Sequence, residues 1–334
     1  MAKRIIKIDT KSALPKYRQI INSVLQAIEK KTLKKGDQIP SINQICSEFN
    51  LSRDTVMLAF SELKSKKVLH SQPGKGYYIL TTEFQPEENI FVLFDELNAF
   101  KEDLYNSLIS NLKGKANVDI YFHHFNYKVF KNLISDSVGH FTSYVIMPAT
   151  FENSSILLSK IPREKIFILD RMKADLKAYP VVYQDFENDF FDALTQGSEL
   201  LKKYRKLVFV NQGGKEPYDR VRGFERFCNL NGFDHQVIKS IEGIRPELYE
   251  AYFLTSDRDM VEVVKTAKNY NYKIGKKFGI VSFNDTMLKE VVAGGITTIS
   301  TDFAEMGRTL ADMVLNRKNI QVRNPSKLIV RNSL

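Results

Sequence analysis

Residues 41–66 contain two short helical patterns joined by a tight turn, which constrains the fold more than any other feature of the chain. Ser41 and Ser52 are residue types that cap a helix by accepting a hydrogen bond from an unpaired backbone N–H group. Apolar residues recur at three- and four-residue spacing in both segments, so each helix has one face to bury. They are Ile42, Ile45, Cys46 and Phe49 in the first segment and Val56, Ala59, Phe60 and Leu63 in the second. The pattern predicts a helix-turn-helix element.

The first turn of the second helix holds Arg53, Asp54 and Thr55, directly after the capping residue Ser52. In a helix-turn-helix protein this end of the helix faces the DNA major groove and its phosphates. An arginine at the first helical position opposes the helix dipole, which favours a role facing phosphate or guanine for Arg53. Thr55 has a second interpretation as a residue that only helps to start the helix.

The positive charge of the chain is concentrated next to this element. Residues 1–82 contain 15 Lys and Arg against 6 Asp and Glu, whereas residues 83–334 contain 34 against 33. A basic surface confined to one small domain is typical of polyanion binding, in which phosphate neutralisation supplies sequence-independent affinity. Together with the capped helices, the charge predicts a double-stranded DNA partner.

The flanking segments complete a small domain. Helical spacing begins near Pro15 and ends before Gly36, and 68–80 is a predicted hairpin whose turn contains Gly74 and Lys75. The glycines of this turn either contact a ligand or only satisfy turn geometry. Three helices and a hairpin indicate a winged helix-turn-helix over residues 1–80.

Residues 81–89 contain a proline and no periodicity, and they are the predicted linker.

Over residues 90–334, strand-like and helical patterns alternate, which predicts an α/β domain with parallel sheets and a ligand at the carboxyl ends of the strands. The predicted strands are 90–94, 118–122, 144–147, 166–169, 207–210, 252–254 and 278–282, and the predicted helices are 104–112, 190–201, 221–230, 260–267 and 306–315.

Several classes of protein are disfavoured. No apolar run reaches the roughly 18 residues that span a bilayer, and the basic start is not followed by a signal-peptide core, so we expect a cytoplasmic protein without a membrane partner. Two distant cysteines and five scattered histidines predict no metal site, no disulfide and no cofactor. Phosphate-loop, dinucleotide-binding and nucleophile-elbow motifs are missing, so we expect no enzyme activity.

The N-terminal residues resemble the DNA-binding domain of the GntR family of bacterial regulators over residues 12–80. The matching residues are Tyr17, Ile20, Ile28, Leu33, Gly36, Asp37, Ile39-Pro40-Ser41, Ser52-Arg53, Thr55-Val56, Ala59, Leu63 and Gly74-Lys75-Gly76. The resemblance implies DNA contacts from Arg53, Thr55 and Gly74. Where many members of that family have an arginine that reads the operator, this chain has Asn43, which can still bond a base or phosphate.

Residues 90–334 resemble the effector-binding domain of the LacI/GalR family, which is similar to two-lobed periplasmic sugar-binding proteins. The resemblance rests on four landmarks in order: 167–171, 218–224, 279–285 and 295–307. It implies effector contacts from Arg220 and from the position of Asn284, which stands where aspartate is usual. Combined with the N-terminal domain, the layout is similar to that of arabinose-type repressors.

A sugar needs donors and acceptors in fixed geometry and an aromatic ring against its apolar face. The candidate polar residues are Asp170, Asp185, Arg220 and Asn284, and the candidate aromatic residues are Phe100 and Tyr218. Structural interpretations remain open for them: a helix cap for Asp170, an ion pair for Arg220, and ordinary packing for the two rings. The chain is thus predicted to be a dimeric, sugar- or sugar-phosphate-responsive transcription regulator, with an α/β enzyme or a solute-binding protein as the alternative.

Overall fold

The computed structural model describes residues 5–10, 12, 14–82, 88–243 and 245–334. It divides into two compact units, one comprising Met1–Asn89 with Asp136–Thr142 and the other Ile90–Ser135 with Ser143–Leu334. Part of the predicted linker, residues 83–87, lies outside the described residues. None of the helices in the described ranges is both long and apolar enough to cross a membrane.

The first unit is a winged helix-turn-helix, as its capping and periodicity predict. Its helices are α1 (Lys16–Glu29), α2 (Ile42–Phe49) and α3 (Arg53–Ser65), and its strands are β1 (Gln38–Ile39), β2 (Leu69–Gln72) and β3 (Gly76–Ile79). The strands form an antiparallel sheet in the order β1-β3-β2. Strand β1 was not predicted, because two residues are too few to show a strand period.

Local bonds and one apolar core fix the helices of this unit. The Ser41 side chain accepts from Gln44 N, and the Gln44 side chain accepts from Ser41 N in return, which forms a capping box. The predicted apolar faces pack into one core, in which Ile45, Val56 and Leu63 are fully inaccessible to solvent and Cys46 and Phe49 are partly buried. Burial of these faces sets the angle between α2 and α3, because each helix can bury its apolar face in only one orientation.

The second unit consists of two α/β lobes, each built on a six-stranded sheet. The N-lobe sheet has the order β14-β8-β7-β6-β4-β5, and the C-lobe sheet has the order β10-β9-β11-β12-β13-β15. The strands are β4 (Glu88–Phe94), β5 (Ala116–Phe122), β6 (Ser143–Ile146), β7 (Ile166–Asp170), β8 (Val181–Tyr183), β9 (Lys206–Val210), β10 (Asp234–Ile238), β11 (Glu250–Leu254), β12 (Gly279–Phe283), β13 (Thr297–Thr301), β14 (Gln321–Arg323) and β15 (Ser326–Ile329). The helices are α4 (Ala99–Leu112), α5 (Tyr127–Ser137), α6 (Ser154–Leu158), α7 (Phe186–Gln196), α8 (Ser198–Leu201), α9 (Asp219–Asn231), α10 (Asp257–Asn269), α11 (Met287–Val291) and α12 (Phe303–Leu315).

The chain passes between the lobes three times, because α7 and β15 belong to the C-lobe and α12 to the N-lobe. Two motif glycines allow the helices beside these crossings to pack closely. A Cβ atom on Gly223 would lie 2.3 Å from Glu187 O on α7, and one on Gly307 would lie 2.4 Å from Leu104 O on α4. Both positions therefore require glycine for steric reasons.

Among the described residues of this unit, all seven predicted strands are present, and five further strands were not predicted. The missed strand β13 has the sequence Thr-Thr-Ile-Ser-Thr and is buried throughout. An apolar-run criterion cannot detect it, because its buried side chains are polar. Thr297 Oγ1 donates to Arg331 O near the chain end, and Thr301 Oγ1 donates to Gln184 Oε1 in a crossing segment. The predicted helix 190–201 is two helices, α7 and α8, separated at Gly197.

Candidate nucleic-acid interface and interlobe cleft

The exposed end of α3 carries the predicted DNA-contacting residues. The Ser52 hydroxyl accepts from Thr55 N at 3.2 Å and lies 2.8 Å from Thr55 Oγ1, so both residues start the helix. Arg53 and Asp54 are exposed in the first turn. Thr55 therefore has a structural role, whatever else it contacts, whereas the side chains of Arg53 and Asp54 extend into solvent.

A hydrogen bond between neighbouring helices orients Arg53. Its Nη1 donates to Asn43 Oδ1 on α2 at 3.0 Å, and both side chains are exposed. The bond uses one of the five N–H donors of the guanidinium and leaves the others available. Asn43 thus restricts the directions in which Arg53 can extend.

The wing presents Lys75 at its tip. Gly74 has φ +74° and Gly76 has φ +112°, so the turn uses a backbone conformation that favours glycine. Lys75 O accepts from Gln38 Nε2 at 2.7 Å and from Tyr78 Oη at 3.2 Å, which attaches the turn to the sheet. The Lys75 side chain remains exposed.

Two exposed apolar residues on α3 are not among the residues that the sequence predicts to contact DNA. Met57 and Leu58 are 48% and 53% exposed, and they lie one turn after Arg53 and Asp54. Helical spacing alone identifies them, because they fall outside the buried stripe of α3. An apolar pair beside an arginine at a helix start suits contact with thymine methyl groups in a major groove.

The carboxyl ends of β7, β8, β12 and β13 meet between the two lobes. An inner cavity there has a volume of about 20 Å³ and brings together two predicted residues, Arg220 and Asn284. Its other lining residues are Gln184, Phe186, Asp189, Phe190, Phe283, Ile299, Thr301 and Ser326. That volume holds about one water molecule, far less than the several hundred Å³ of a ligand site.

The Arg220 side chain lies in the wall of this inner cavity. Its guanidinium lies between the rings of Phe186 and Phe283, at 4.9 and 4.8 Å from their centroids, and Nη1 donates to Glu216 Oε2 at 2.6 Å. Burial lowers the pKa of Arg220, while the charge of Glu216 opposes that shift. Arg220 is therefore both in an ion pair and at the cleft, so the two interpretations from the sequence are compatible.

Asp170 begins a buried chain of hydrogen bonds that connects the lobes. Gln184 Nε2 donates to Asp170 Oδ1 at 2.6 Å, and Thr301 Oγ1 donates to Gln184 Oε1 at 2.5 Å. Burial raises the pKa of Asp170, and the positive charges of Lys101 and Arg171 oppose this shift. The network joins the ends of one N-lobe strand and one C-lobe strand through a crossing segment.

Asn284 occupies a position that restricts the residue type. Its φ is +57°, a left-handed conformation that asparagine and aspartate tolerate better than most residues. Its backbone donates to Ile299 O at 2.9 Å and accepts from Lys289 Nζ at 2.8 Å. The amide side chain is thereby held at the end of β12, at the cavity.

A larger outer cavity of about 590 Å³ adjoins the inner one and shares Gln184 and Phe186 with it. Asp185 lies in its wall and caps α7 by accepting from Asn188 N at 3.3 Å and from Asn188 Nδ2 at 2.8 Å. The cavity is lined by the cations Arg171, Lys173, Lys177 and Arg222 and by the acids Glu152, Asp185, Glu187 and Asp219. Four charges of each sign leave the wall polar and electrically balanced.

The two predicted stacking residues lie elsewhere. Phe100 packs on Phe303 at 4.9 Å between ring centroids, within the apolar core of the N-lobe. Tyr218 is 62% exposed at the start of α9. The rings that line the inner cavity are Phe186 and Phe283 instead. Phe186 follows a crossing segment, so its place could be predicted only after the path of the chain between lobes was known.

The loop between β9 and α9 contacts the N-lobe across the cleft. Lys215 Nζ lies 2.8 and 3.0 Å from the two carboxylate oxygens of Glu96, and Lys215 O accepts from Arg171 Nη2 at 3.1 Å. Gly213 and Gly214 precede it with positive φ. These contacts hold the lobes together on one side of the cleft.

Comparison with known proteins matches a part of each unit to a described family. Residues 16–79 match the gntR family of bacterial regulatory proteins, and residues 200–334 match a periplasmic binding protein-like domain. The chain is 26% identical over 216 residues to the HTH-type transcriptional regulator GalR of Streptococcus thermophilus, a match that covers 53% of this chain and 64% of that protein. The matched region is thus less than two thirds of the length of that relative.

Two further similarities cover different parts of the chain. The arabinose metabolism transcriptional repressor of Geobacillus stearothermophilus is 32% identical over 77 residues, 23% of this chain and 21% of that protein. The lac repressor dimer, solved bound to operator and the anti-inducer ONPF, superposes with a TM-score of 0.60 at 14% identity, covering 75% of this chain and 94% of that one. The chain therefore joins a gntR-family helix-turn-helix domain to a periplasmic binding protein-like domain with a LacI-like fold.

Proposed function

We propose that the protein is a dimeric transcription repressor of carbohydrate utilisation genes, controlled by a sugar or sugar-phosphate effector bound between the lobes. The observation that carries the proposal is the presence, in one chain, of a basic winged helix and a two-lobed domain with a polar cleft. The names of the relatives support it, since one is a GalR regulator and another a repressor of arabinose metabolism.

On DNA, Arg53 and Asp54 at the start of α3 read base edges or phosphates, and Lys75 at the wing tip contacts backbone phosphate. Met57 and Leu58 supply apolar contact with thymine methyl groups. Asn43 acts chiefly by orienting Arg53, through the 3.0 Å hydrogen bond between them. Base-edge contacts provide specificity, while the excess positive charge of the domain provides salt-sensitive affinity.

The effector binds in the outer cavity and extends toward Arg220. The balanced charges of the wall favour a ligand rich in hydroxyl groups, which need both donors and acceptors. Because the inner cavity holds about one water, binding displaces the Arg220 guanidinium from between Phe186 and Phe283. The freed ring of Phe186, which lines both cavities, then packs against the apolar face of the sugar.

Effector binding changes the angle between the lobes, and in a dimer this changes the separation of the two winged helices. The hydrogen bonds from Asp170 through Gln184 to Thr301 lie at the crossings about which the lobes rotate. Coupling is reciprocal: an effector that weakens operator binding binds less well to the DNA-bound protein.

Dimerisation is assigned to the C-lobe face that contains α11 and α10. Met287, Leu288 and Val291 on α11 are 85%, 55% and 72% exposed, a concentration of apolar surface that a monomer would leave in water. Lys289 Nζ on the same helix lies 2.9 Å from Asp257 Oδ1 on α10, which also carries the exposed Val261. Pairing of this face in a two-fold dimer is consistent with a pseudo-palindromic operator.

The proposal is tested by a thermal-shift screen of the full chain against monosaccharides, disaccharides and sugar phosphates. A ligand at about 100 times its dissociation constant adds about 2.7 kcal/mol to the apparent stability. We expect at least one carbohydrate to raise the melting temperature in wild type and to lose that effect in Arg220→Ala. A complete screen without any stabilising carbohydrate would refute the assignment of the effector class.

A further inference from the structure

A second depression lies on the C-lobe at the edge where its strands begin, opposite the edge that forms the cleft. It has a volume of about 730 Å³ and contains the residues that precede β9 and β11. Its lining residues are Lys202, Lys203, Tyr204, Arg205, Arg245, Pro246, Glu247, Leu248, Tyr249 and Tyr272. The lining contains four positively charged residues and one acidic residue, whereas the outer cavity is lined by equal numbers of both.

The surplus of positive charge extends beyond the lining. The turn at residues 273–277 adjoins the depression, because its Gly275 O accepts from Lys203 Nζ at 2.7 Å, and it adds three exposed lysines, Lys273, Lys276 and Lys277. Residues 83–334 as a whole are nearly neutral, so this local surplus is balanced by negative charge elsewhere. A focused positive field of this kind attracts anions.

The positively charged residues of the depression differ in whether they form ion pairs. Arg205 lies 3.0 Å from Glu247, and Lys202 lies 2.6 Å from Glu199. Both ion pairs are exposed and contribute little free energy, so a bound anion can replace the carboxylate at small cost. Arg245 lies over the Tyr270 ring at 4.9 Å and has no carboxylate within ion-pair distance among the residues that the structure describes. Two arginine guanidinium groups at one depression match the bidentate geometry of phosphate oxygens.

Tyr249 lies in the wall of the same depression in an uncommon backbone conformation. This bulky residue has φ +66°, and three backbone hydrogen bonds, from Arg205 N and Lys206 N and to Lys277 O, hold it there. A left-handed conformation is costly for an aromatic residue and is concentrated at functional positions. Tyr249 is 43% exposed in the wall, with Lys277 Nζ at 5.9 Å from its ring centroid.

We propose that this depression is a binding site for a nucleoside di- or triphosphate, separate from the effector cleft. Arg205, Arg245 and the lysines bind the phosphate groups, and the base stacks on the exposed ring of Tyr249. Excess positive charge can bind the phosphate groups of either an inorganic anion or a nucleotide. An exposed aromatic ring can stack only on the base of a nucleotide. The strands between the depression and the cleft are five residues long, so the two sites are roughly 16 Å apart along the sheet.

The test is calorimetric titration of the full chain with ATP, ADP, AMP, adenosine and tripolyphosphate at one fixed ionic strength. We expect one site per chain, an affinity order of ATP, ADP, then AMP, and no binding of adenosine. Arg205→Gln combined with Arg245→Gln should weaken ATP binding by about tenfold or more. The matched control, Lys265→Gln with Arg308→Gln on other exposed helix faces, should leave the affinity within about twofold of wild type.

Tyr249→Asn tests the stacking step, because asparagine tolerates the left-handed backbone but lacks the ring. It should weaken ATP binding by about fivefold or more and leave tripolyphosphate binding unchanged. The site assignment is overturned if ATP fails to bind at about 1 mM, or if the double arginine variant binds it as wild type does. An equal weakening of ATP and tripolyphosphate binding in Tyr249→Asn, with its melting temperature preserved, would overturn the nucleotide assignment.

Discussion

Asn43 Oδ1 accepts a hydrogen bond of 3.0 Å from Arg53 Nη1, joining the two helices of the helix-turn-helix at their exposed edge. A residue on α2 thus sets the direction of the first residue of α3. The relation assigns a specific role to Asn43, at a position where the resemblance to GntR regulators leads one to expect an arginine. Under the proposed function, Arg53 contacts DNA directly and Asn43 acts through Arg53.

Arg53→Ala should weaken operator binding by about 1–3 kcal/mol, because alanine cannot bind a base edge or a phosphate. Asn43→Ala should cost about 0.5–1.5 kcal/mol, since it affects only the orientation of Arg53. In the Arg53→Ala background, Asn43→Ala should have little further effect, which a double-mutant cycle of operator affinities measures. Fully additive effects would show that Asn43 contacts DNA independently of Arg53.

Arg220→Ala should uncouple the two domains. Ligand affinity should fall by about 1.5–3 kcal/mol for each hydrogen bond from the charged guanidinium that the substitution removes, while operator affinity without ligand should stay at the wild-type level. Titration of ligand into the protein–operator complex gives both quantities. Lys265→Ala on exposed α10 is the control, and a folded Arg220→Ala protein with a full ligand response would remove Arg220 from the effector site.

Met287→Glu combined with Val291→Glu should convert the full chain from dimer to monomer, because two charges would be desolvated in an apolar interface. Sedimentation at micromolar concentration measures the change. Ile156 on α6 is 69% exposed, so Ile156→Glu provides a control at an equally exposed apolar residue. Persistence of the dimer in the double variant would place the interface on another face.

The Asp285–Arg331 ion pair should make the C-lobe sensitive to acid. Its two hydrogen bonds are 2.6 and 2.8 Å long. Burial alone would raise the pKa of Asp285, but the bonds from Arg331 and Thr298 and the charge of Arg331 outweigh burial and lower it. The ionised form is therefore favoured in the folded state, and its contribution is present above the ordinary pKa of 3.8 and lost as the pH falls below it.

Asp285→Asn should accordingly lower the free energy of unfolding by about 1–3 kcal/mol at neutral pH, because Arg331 loses its charged partner in a partly buried pair. The difference from wild type should shrink as the pH falls below about 4, as denaturant unfolding at several pH values measures. Asp312→Asn removes an exposed pair with Lys318 and should cost less than about 0.5 kcal/mol. A constant difference between wild type and Asp285→Asn down to about pH 3 would contradict the linkage.

Local signals made the first unit predictable. Capping serines, a 3.6-residue apolar period and a proline-glycine turn all act within a few residues, and Ser41, Ser52 and Gly74 occupy the structural positions that those signals indicate. The resemblance to LacI/GalR effector domains implied effector contacts from Arg220 and Asn284, and both residues line one cavity. Gln184 and Phe186 were not foreseen, because their positions depend on where the chain crosses between lobes, a long-range property that no local pattern encodes.

The central claim is that a carbohydrate bound between the lobes changes the affinity of the winged helices for a specific operator. The most direct test is to select a preferred duplex from randomised DNA with the full chain, and then to measure its affinity with and without the carbohydrate that stabilises the protein. We expect a pseudo-palindromic sequence, a changed affinity on adding the carbohydrate, and no change in Arg220→Ala. A protein that selects no preferred sequence, or whose operator affinity is the same with and without the carbohydrate, would contradict the claim.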